Sequence, residues 1–165
     1  MMPKAVLEAL NDQIKYEFAS SHYYLAMSAY FESVSLPGFA HWMRVQSQEE
    51  AAHALKLFDY VHERGGRVLL KEIPAPQTKF ASPHAAFDGY LEHEKKVTAL
   101  INDLYETAVK AKDYATQVML HWFIKEQVEE EKTGMEIIDQ LKMVGENKTA
   151  LLMLDRQLNA RASKG

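Results

Sequence analysis

Apolar residues recur at alternating steps of three and four along four long stretches of the chain. This spacing places their side chains on one face of an α-helix. The stretches span about 4–34, 39–64, 83–112 and 113–144, and a shorter one at about 149–159 carries Leu151, Leu152, Leu154 and Leu158 on one side. The pattern therefore predicts four long helices followed by a short fifth one.

The segments between these stretches predict how the helices connect. A turn at residues 36–38 is short, so the second helix should return antiparallel to the first, and Gly65 suits the left-handed cap at its end. Residues 66–82 contain two prolines and lack helical periodicity, which is typical of a long crossover. Ser82 and Pro83 then provide an N-cap and a first-turn proline.

These elements predict an all-α fold in a single domain over residues 1–165. It is a four-helix bundle with a long crossover between helices two and three and a short fifth C-terminal helix. A chain of this length can bury a sizeable core, and its 47% hydrophobic and 25% charged residues are ordinary for a globular protein.

Each long apolar stripe is interrupted near its middle by polar side chains. These are Glu17 on the first helix, Glu50 with His53 on the second, Glu94 on the third, and Gln127 with Glu130 on the fourth. Mid-helix positions of antiparallel helices meet, so we expect these side chains to converge. The Glu50/His53 pair alone is weak evidence for a metal site, because a helix rich in Glu contains such spacings by chance. Convergence from four helices is what favours one.

Carboxylates are rarely buried without a partner, and no Lys or Arg occupies these stripes at this level. Four carboxylates and one imidazole would repel one another, so divalent cations are the simplest way to balance their charge. The alternative is a set of unrelated, solvated charges. Carboxylates with imidazole and no thiolate favour Fe(II), Mn(II) or Zn(II) over Cu(I).

The ligand set is sufficient for two adjacent ions. Glu17, Glu50 and His53 would hold the first ion, with Glu50 bridging to a second held by Glu94 and Glu130. Gln127 would orient a ligand or a water molecule. The open coordination positions that remain are those that a redox metal needs to bind O2.

Overall composition narrows the functional classes further. A net charge of −4 without a long Lys/Arg run argues against nucleic acid as a partner. The absence of cysteine excludes disulfides, zinc–thiolate sites, iron–sulfur clusters and thiol catalysis. The N-terminus lacks a signal-peptide pattern and no run of 18 apolar residues follows. We therefore expect a cytoplasmic protein that has no membrane partner.

With these residues in place, the whole chain resembles a bacterial or archaeal non-haem ferritin in helix order, crossover position and terminal helix. The resemblance implies a di-iron ferroxidase centre, with Gln127 in the family's glutamine position and Tyr24 beside the centre. The centre itself would comprise Glu17, Glu50, His53, Glu94 and Glu130. It also implies a third iron site, in which Glu49, Glu126 and Glu129 join Glu130.

The activity implied by the resemblance is oxidation of Fe(II) by O2 or H2O2, with ferric mineral stored inside a hollow shell of about 24 identical subunits. Haem is not expected. Ala51 occupies the position of the haem-binding methionine of bacterioferritins, and Gln127 with Glu130 replaces their second Glu-x-x-His pair. Two alternatives stay open: a di-iron oxidase or peroxidase without bulk storage, and a non-catalytic helical interaction module.

Overall fold

The computed structural model describes residues 1–163, which form five α-helices and no strand. The helices are α1 (Lys4–Ser33), α2 (Pro37–Glu63), α3 (Pro83–Lys110), α4 (Tyr114–Val144) and α5 (Lys148–Leu158). The predicted all-α arrangement, with a long crossover before α3 and a short terminal helix, is confirmed. In this part of the chain, no helix has both the length and the apolar character that a membrane span requires.

The helix caps agree with the sequence-based expectations. The Ser82 side chain accepts a hydrogen bond from the Ala85 N–H at 3.0 Å, and Pro83 opens α3. Gly65, with φ of 71°, follows the end of α2, and Gly145, with φ of 54°, caps α4. Both glycines lie in the left-handed region that other residues adopt at a steric cost.

The predicted turn at residues 36–38 is wrong. The chain turns at residues 34–35, where Ser35 has φ of 60°, and Pro37 already begins α2 because proline fits the first helical position. Gly38 lies within α2 and is not part of the turn. A Cβ at Gly38 would lie 1.7 Å from the carbonyl oxygen of Asp155. The glycine therefore permits close packing of α5 against α2.

The terminal helix is attached through few side chains. On the leucine-rich side of this helix, Leu154 and Leu158 are buried, whereas Leu152 is 52% exposed. The helix is also fixed by Asp155, whose carboxylate accepts a hydrogen bond from the Phe39 N–H at 2.9 Å. This bond satisfies one of the free N–H groups at the start of α2.

The hydrophobic core is divided into two clusters. One includes Met27, Phe31, Phe39, Phe87 and Ile137. The other includes Leu10, Ile14, Leu57, Ile101 and Phe123. On every long helix, the chain passes from one cluster to the other across the polar positions described above. We call the side chains between the clusters the acidic layer: Glu17, Glu50, His53, Glu94 and Glu130.

Candidate metal centre

The structure brings the five residues of the acidic layer together at the middle of the bundle, and all are buried. They form two groups of potential metal ligands. Ligand atoms of Glu17, Glu50 and His53 lie within 4.8 Å of one another, and so do those of Glu50, Glu94 and Glu130. Glu50 belongs to both groups, which is the arrangement that a bridging carboxylate requires.

His53 faces the first group because it lies one helical turn after Glu50. Its Nδ1 lies 3.4 Å from Glu50 Oε2 and 3.8 Å from Glu17 Oε2. The pair on α2 therefore projects into the bundle interior beside the carboxylate of α1, as the three-residue spacing predicts. The imidazole and two carboxylate oxygens share one small volume.

Neutral amides hold the rear oxygen atoms of three glutamates. Gln13 Nε2 donates to Glu17 Oε1 at 2.8 Å. Gln46 Nε2 donates both to Glu50 Oε1 and to Glu130 Oε2, each at 2.9 Å. The sequence interpretation assigned no role to these glutamines. Their signal was present, however, because on both α1 and α2 a glutamine precedes the ligand glutamate by four residues.

Two tyrosines and Gln127 supply the other donors. The Tyr24 hydroxyl donates to Glu94 Oε1, one of the oxygens of the acidic layer. Gln127 Nε2 donates to Glu94 Oε2 at 3.0 Å. The Tyr90 hydroxyl donates to Glu130 Oε2 at 2.8 Å, a contact between α3 and α4 that the sequence did not reveal. Gln127 therefore orients a carboxylate of the layer.

Two oxygen atoms of the acidic layer have no hydrogen-bond donor among the described residues. These buried atoms are Glu17 Oε2 and Glu130 Oε1. Buried carboxylate oxygens are normally paired, because an unpaired buried charge is costly. Glu17 belongs to one ligand group and Glu130 to the other, so each group contains a residue with a free acceptor oxygen that a cation could bind. The donor set fits hard or borderline divalent ions.

The electrostatics follow from this lack of positive partners. Burial raises the pKa of Glu17 and Glu50, and neighbouring carboxylates raise it further. Burial, followed by the charge of Glu130, raises the pKa of Glu94 from 4.5 to about 8. The pKa of Glu130 is also raised by burial. With a pKa of about 8, the Glu94 carboxyl group retains its proton near neutral pH when no cation is bound, so cation binding there releases a proton.

The residues predicted for a third iron site are only partly brought together. Glu126 and Glu130 group with His53, within 4.8 Å of one another, whereas Glu129 is exposed. Glu49 is buried and forms an ion pair with Arg161 at 2.8 Å. Glu49 therefore differs from the glutamates of the acidic layer, because it has a basic partner. The third site stays a prediction.

A cavity of about 250 Å³ opens beside the acidic layer, lined in part by Glu49, His53, Trp122 and Glu126. The Trp122 ring lies 5.1 Å from the His53 ring, and Lys56 Nζ lies 3.6 Å above the indole. Trp122 is 37% exposed. These contacts place Trp122 at the wall of this cavity.

Comparison with known proteins gives consistent matches. The ferritin-like domain family matches residues 7–144. The chain is 43% identical to a bacterial non-heme ferritin of Staphylococcus haemolyticus over 98% of both chains. It is 41% identical to a bacterial non-heme ferritin of Bacteroides fragilis, covering 98% of this chain and 100% of that protein. The open pore ferritin from the hyperthermophilic archaeon Archaeoglobus fulgidus superposes with a TM-score of 0.97 at 48% identity, over 98% and 99% of the two chains.

Proposed function

The chain belongs to the ferritin family, and on this premise we propose that it oxidises Fe(II) at the acidic layer and stores the ferric product inside a shell of its own copies. The single observation that carries the ferroxidase proposal is the pair of ligand groups that share Glu50. The unpaired oxygens of Glu17 and Glu130, one in each group, support it.

In this proposal, two Fe(II) ions are substrates held side by side. Glu17, Glu50 and His53 bind the first ion. Glu50 also contacts the second ion, for which Glu94 and Glu130 are the other protein ligands. Each Fe(II) gives one electron to O2, which takes up two protons and leaves as H2O2. When H2O2 is the oxidant, it accepts two electrons and two protons and leaves as two water molecules. Open ligand positions give the oxidant access to the ions.

The surrounding residues hold this geometry. Gln13 and Gln46 bind the rear oxygens of Glu17 and Glu50, which leaves the front oxygens directed at the ions. Tyr24 and Gln127 orient Glu94 from opposite oxygens. Such outer partners fix ligand orientation, and their loss typically reduces metal affinity or activity by about 10- to 100-fold.

We further propose that iron leaves through a third site formed by Glu49, Glu126 and Glu129 with Glu130, and mineralises in the cavity of a shell of about 24 subunits. The whole chain would act as one domain, in the cytoplasm, without haem. Exposed apolar side chains near the end of the bundle support self-association, since a neighbouring copy would cover them. They are Met143, Leu152 and Met153.

The sharpest test is Glu50→Ala, because Glu50 serves both ligand groups. The initial rate of ferric absorbance increase, after Fe(II) is mixed with aerated protein, should fall by roughly 100-fold. Glu63→Ala, at an exposed glutamate of the same helix, is the matched control and should leave the rate unchanged. Light scattering should show the same particle size for both variants. An unchanged initial rate in Glu50→Ala would refute the assignment.

Storage needs its own test, because an oxidase could use the same centre. Stepwise aerobic iron addition to the wild-type protein should load far more than two ions per subunit and yield an electron-dense core within the particle. Loading that stops near two ions per subunit would instead indicate a di-iron oxidase or peroxidase. If Fe(II) and air gave no absorbance change above a protein-free control, the chain would be a non-catalytic helical module.

A further inference from the structure

The segment that follows α5 returns along α2 and places Arg161 against it. Arg161 Nη1 donates to the Trp42 carbonyl at 3.1 Å, and its guanidinium lies 4.1 Å above the Trp42 ring. Nη2 donates to Gln46 Oε1 and Glu49 Oε2, both at 2.8 Å. The side chain is only 18% exposed. Arg161 is therefore a fixed positive charge.

Glu49 is only half satisfied by this contact. Its Oε2 accepts from Arg161, whereas its buried Oε1 has no hydrogen-bond donor among residues 1–163. Glu49 also lines the cavity that His53 and Glu126 line. A cation in this cavity would find a free Glu49 oxygen, but on a carboxylate already paired with a guanidinium.

We propose that Arg161 is a resident cation that keeps the third iron site weak, so that iron passes through it instead of remaining bound. The inference rests on the proposed function. A carboxylate that is paired with a guanidinium offers an iron ion less negative charge. The positive guanidinium beside the other oxygen also repels the ion directly. Because both partners are largely buried, solvent screens this repulsion little.

A second contact links the same arginine to the di-iron residues. The Gln46 amide accepts from Arg161 through its oxygen and donates through its nitrogen to Glu50 and Glu130. Arg161 is thus a positioning residue for Gln46 as well as a charge beside Glu49. A lysine at this position would keep the charge but lose the paired donors, so the two effects can be separated.

The test is anaerobic calorimetric titration of the metal-free, assembled protein with Fe(II). In Arg161→Gln, the third ion per subunit should bind roughly 5- to 150-fold more tightly, the usual range for coupling between two sites. Affinity for the first two ions should change less. Arg161→Lys should keep the third ion weak, because it keeps the charge. Arg156→Gln removes an exposed arginine from α5 and should match the wild type.

A kinetic measurement adds a second readout. After two ions per subunit have been oxidised, iron should reach the interior of the shell more slowly in Arg161→Gln. The initial oxidation rate on a second Fe(II) addition should therefore recover more slowly. Arg161→Met, which keeps the aliphatic stem over Trp42, is the second variant if Arg161→Gln does not assemble. Glu49→Gln combined with Arg161→Gln should abolish the tight third ion.

The outcomes separate the inference from the proposed function. If the wild type binds and oxidises two ions but removal of the Arg161 charge leaves third-ion affinity unchanged or lower, the inference is overturned and the ferroxidase proposal stands. Tight third-ion binding in Arg161→Lys would also overturn it, because charge would not be the cause. If the wild type neither binds nor oxidises the first two ions, the proposed function itself fails.

Discussion

Two buried acidic regions of this chain balance their charge in different ways. Near one end of the bundle, Asp113 accepts from Arg64 Nη1 at 3.0 Å and from the Thr116 hydroxyl at 2.8 Å, and it caps α4. At the middle, the hydrogen-bond donors to the glutamates of the acidic layer are neutral amides and hydroxyls. In the first region a positive side chain of the same chain balances the carboxylate charge, and in the second region none of the described side chains does.

The pKa values move in opposite directions as a result. Burial raises the pKa of Asp113, but hydrogen bonds from Arg64 and Thr116 outweigh it and leave the pKa below the usual value. Burial and the Glu130 charge raise the pKa of Glu94 to about 8. Asp113 needs no further ion. The difference shows that burial alone does not indicate function. Function is indicated by buried charge that no other side chain of the protein balances.

The largest effect on stability should follow from removing Arg64, the positive partner of Asp113. Arg64→Met leaves the buried Asp113 charge unpaired, and breaking a buried pair costs about 3–5 kcal/mol. Because the Arg64 side chain is 23% exposed, we expect a loss of about 2–3 kcal/mol in the free energy of unfolding. Thermal and denaturant unfolding of the metal-free protein measure it, with exposed Arg67→Met as control. Equal losses in both variants would contradict the comparison.

The contrast between the two regions was only partly predictable from sequence. The acidic layer could be predicted from the sequence because Glu17, Glu50, Glu94 and Glu130 each interrupt a periodic apolar stripe, which is a local signal. Helix order and the crossover followed from the same periodicity. The turn before α2 was misplaced because Pro37 suits a helix start as well as a turn.

The remaining contacts depend on the folded arrangement. Arg161 reaches Glu49 across 112 positions of sequence, and Tyr90 reaches Glu130 across 40. No spacing rule connects residues so far apart, because their proximity depends on how the helices pack. Leu152 is exposed although it lies in a leucine-rich segment, since a single helix of this length buries only one side.

Changing pH should sharpen the comparison, with an effect of intermediate size. Glu94 binds more protons in the folded than in the unfolded state between its ordinary pKa of 4.5 and its folded pKa of about 8. Its contribution to stability is therefore present below pH 4.5 and is lost as pH rises through 8. Asp113 behaves oppositely: its contribution is present above its ordinary pKa of 3.8 and is lost as pH falls through its lowered folded pKa.

Glu94→Gln isolates the acidic layer in this measurement. In metal-free protein with chelator, the fall in melting temperature from pH 5 to pH 8 should be smaller in Glu94→Gln than in the wild type. At pH 8 the variant should be more stable by about 1–2 kcal/mol, since one pKa unit corresponds to about 1.4 kcal/mol and relaxation offsets part of the shift. Exposed Glu92→Gln is the control on the same helix. Parallel pH profiles for all three proteins would refute the assigned role of Glu94.

The smallest effect should come from removing one neutral donor while leaving every charge in place. Tyr24→Phe deletes the hydroxyl that donates to Glu94 Oε1, whereas Gln127 still holds Oε2. A hydrogen bond of this kind contributes about 0.5–1.5 kcal/mol, so the initial rate of Fe(II) oxidation should fall by roughly 2- to 10-fold. Stopped-flow absorbance measures the rate, with Tyr30→Phe on the same helix as control. A loss as large as that expected for Glu50→Ala would mean that Tyr24 does more than orient a carboxylate. An unchanged rate would mean that Gln127 alone is sufficient to orient Glu94.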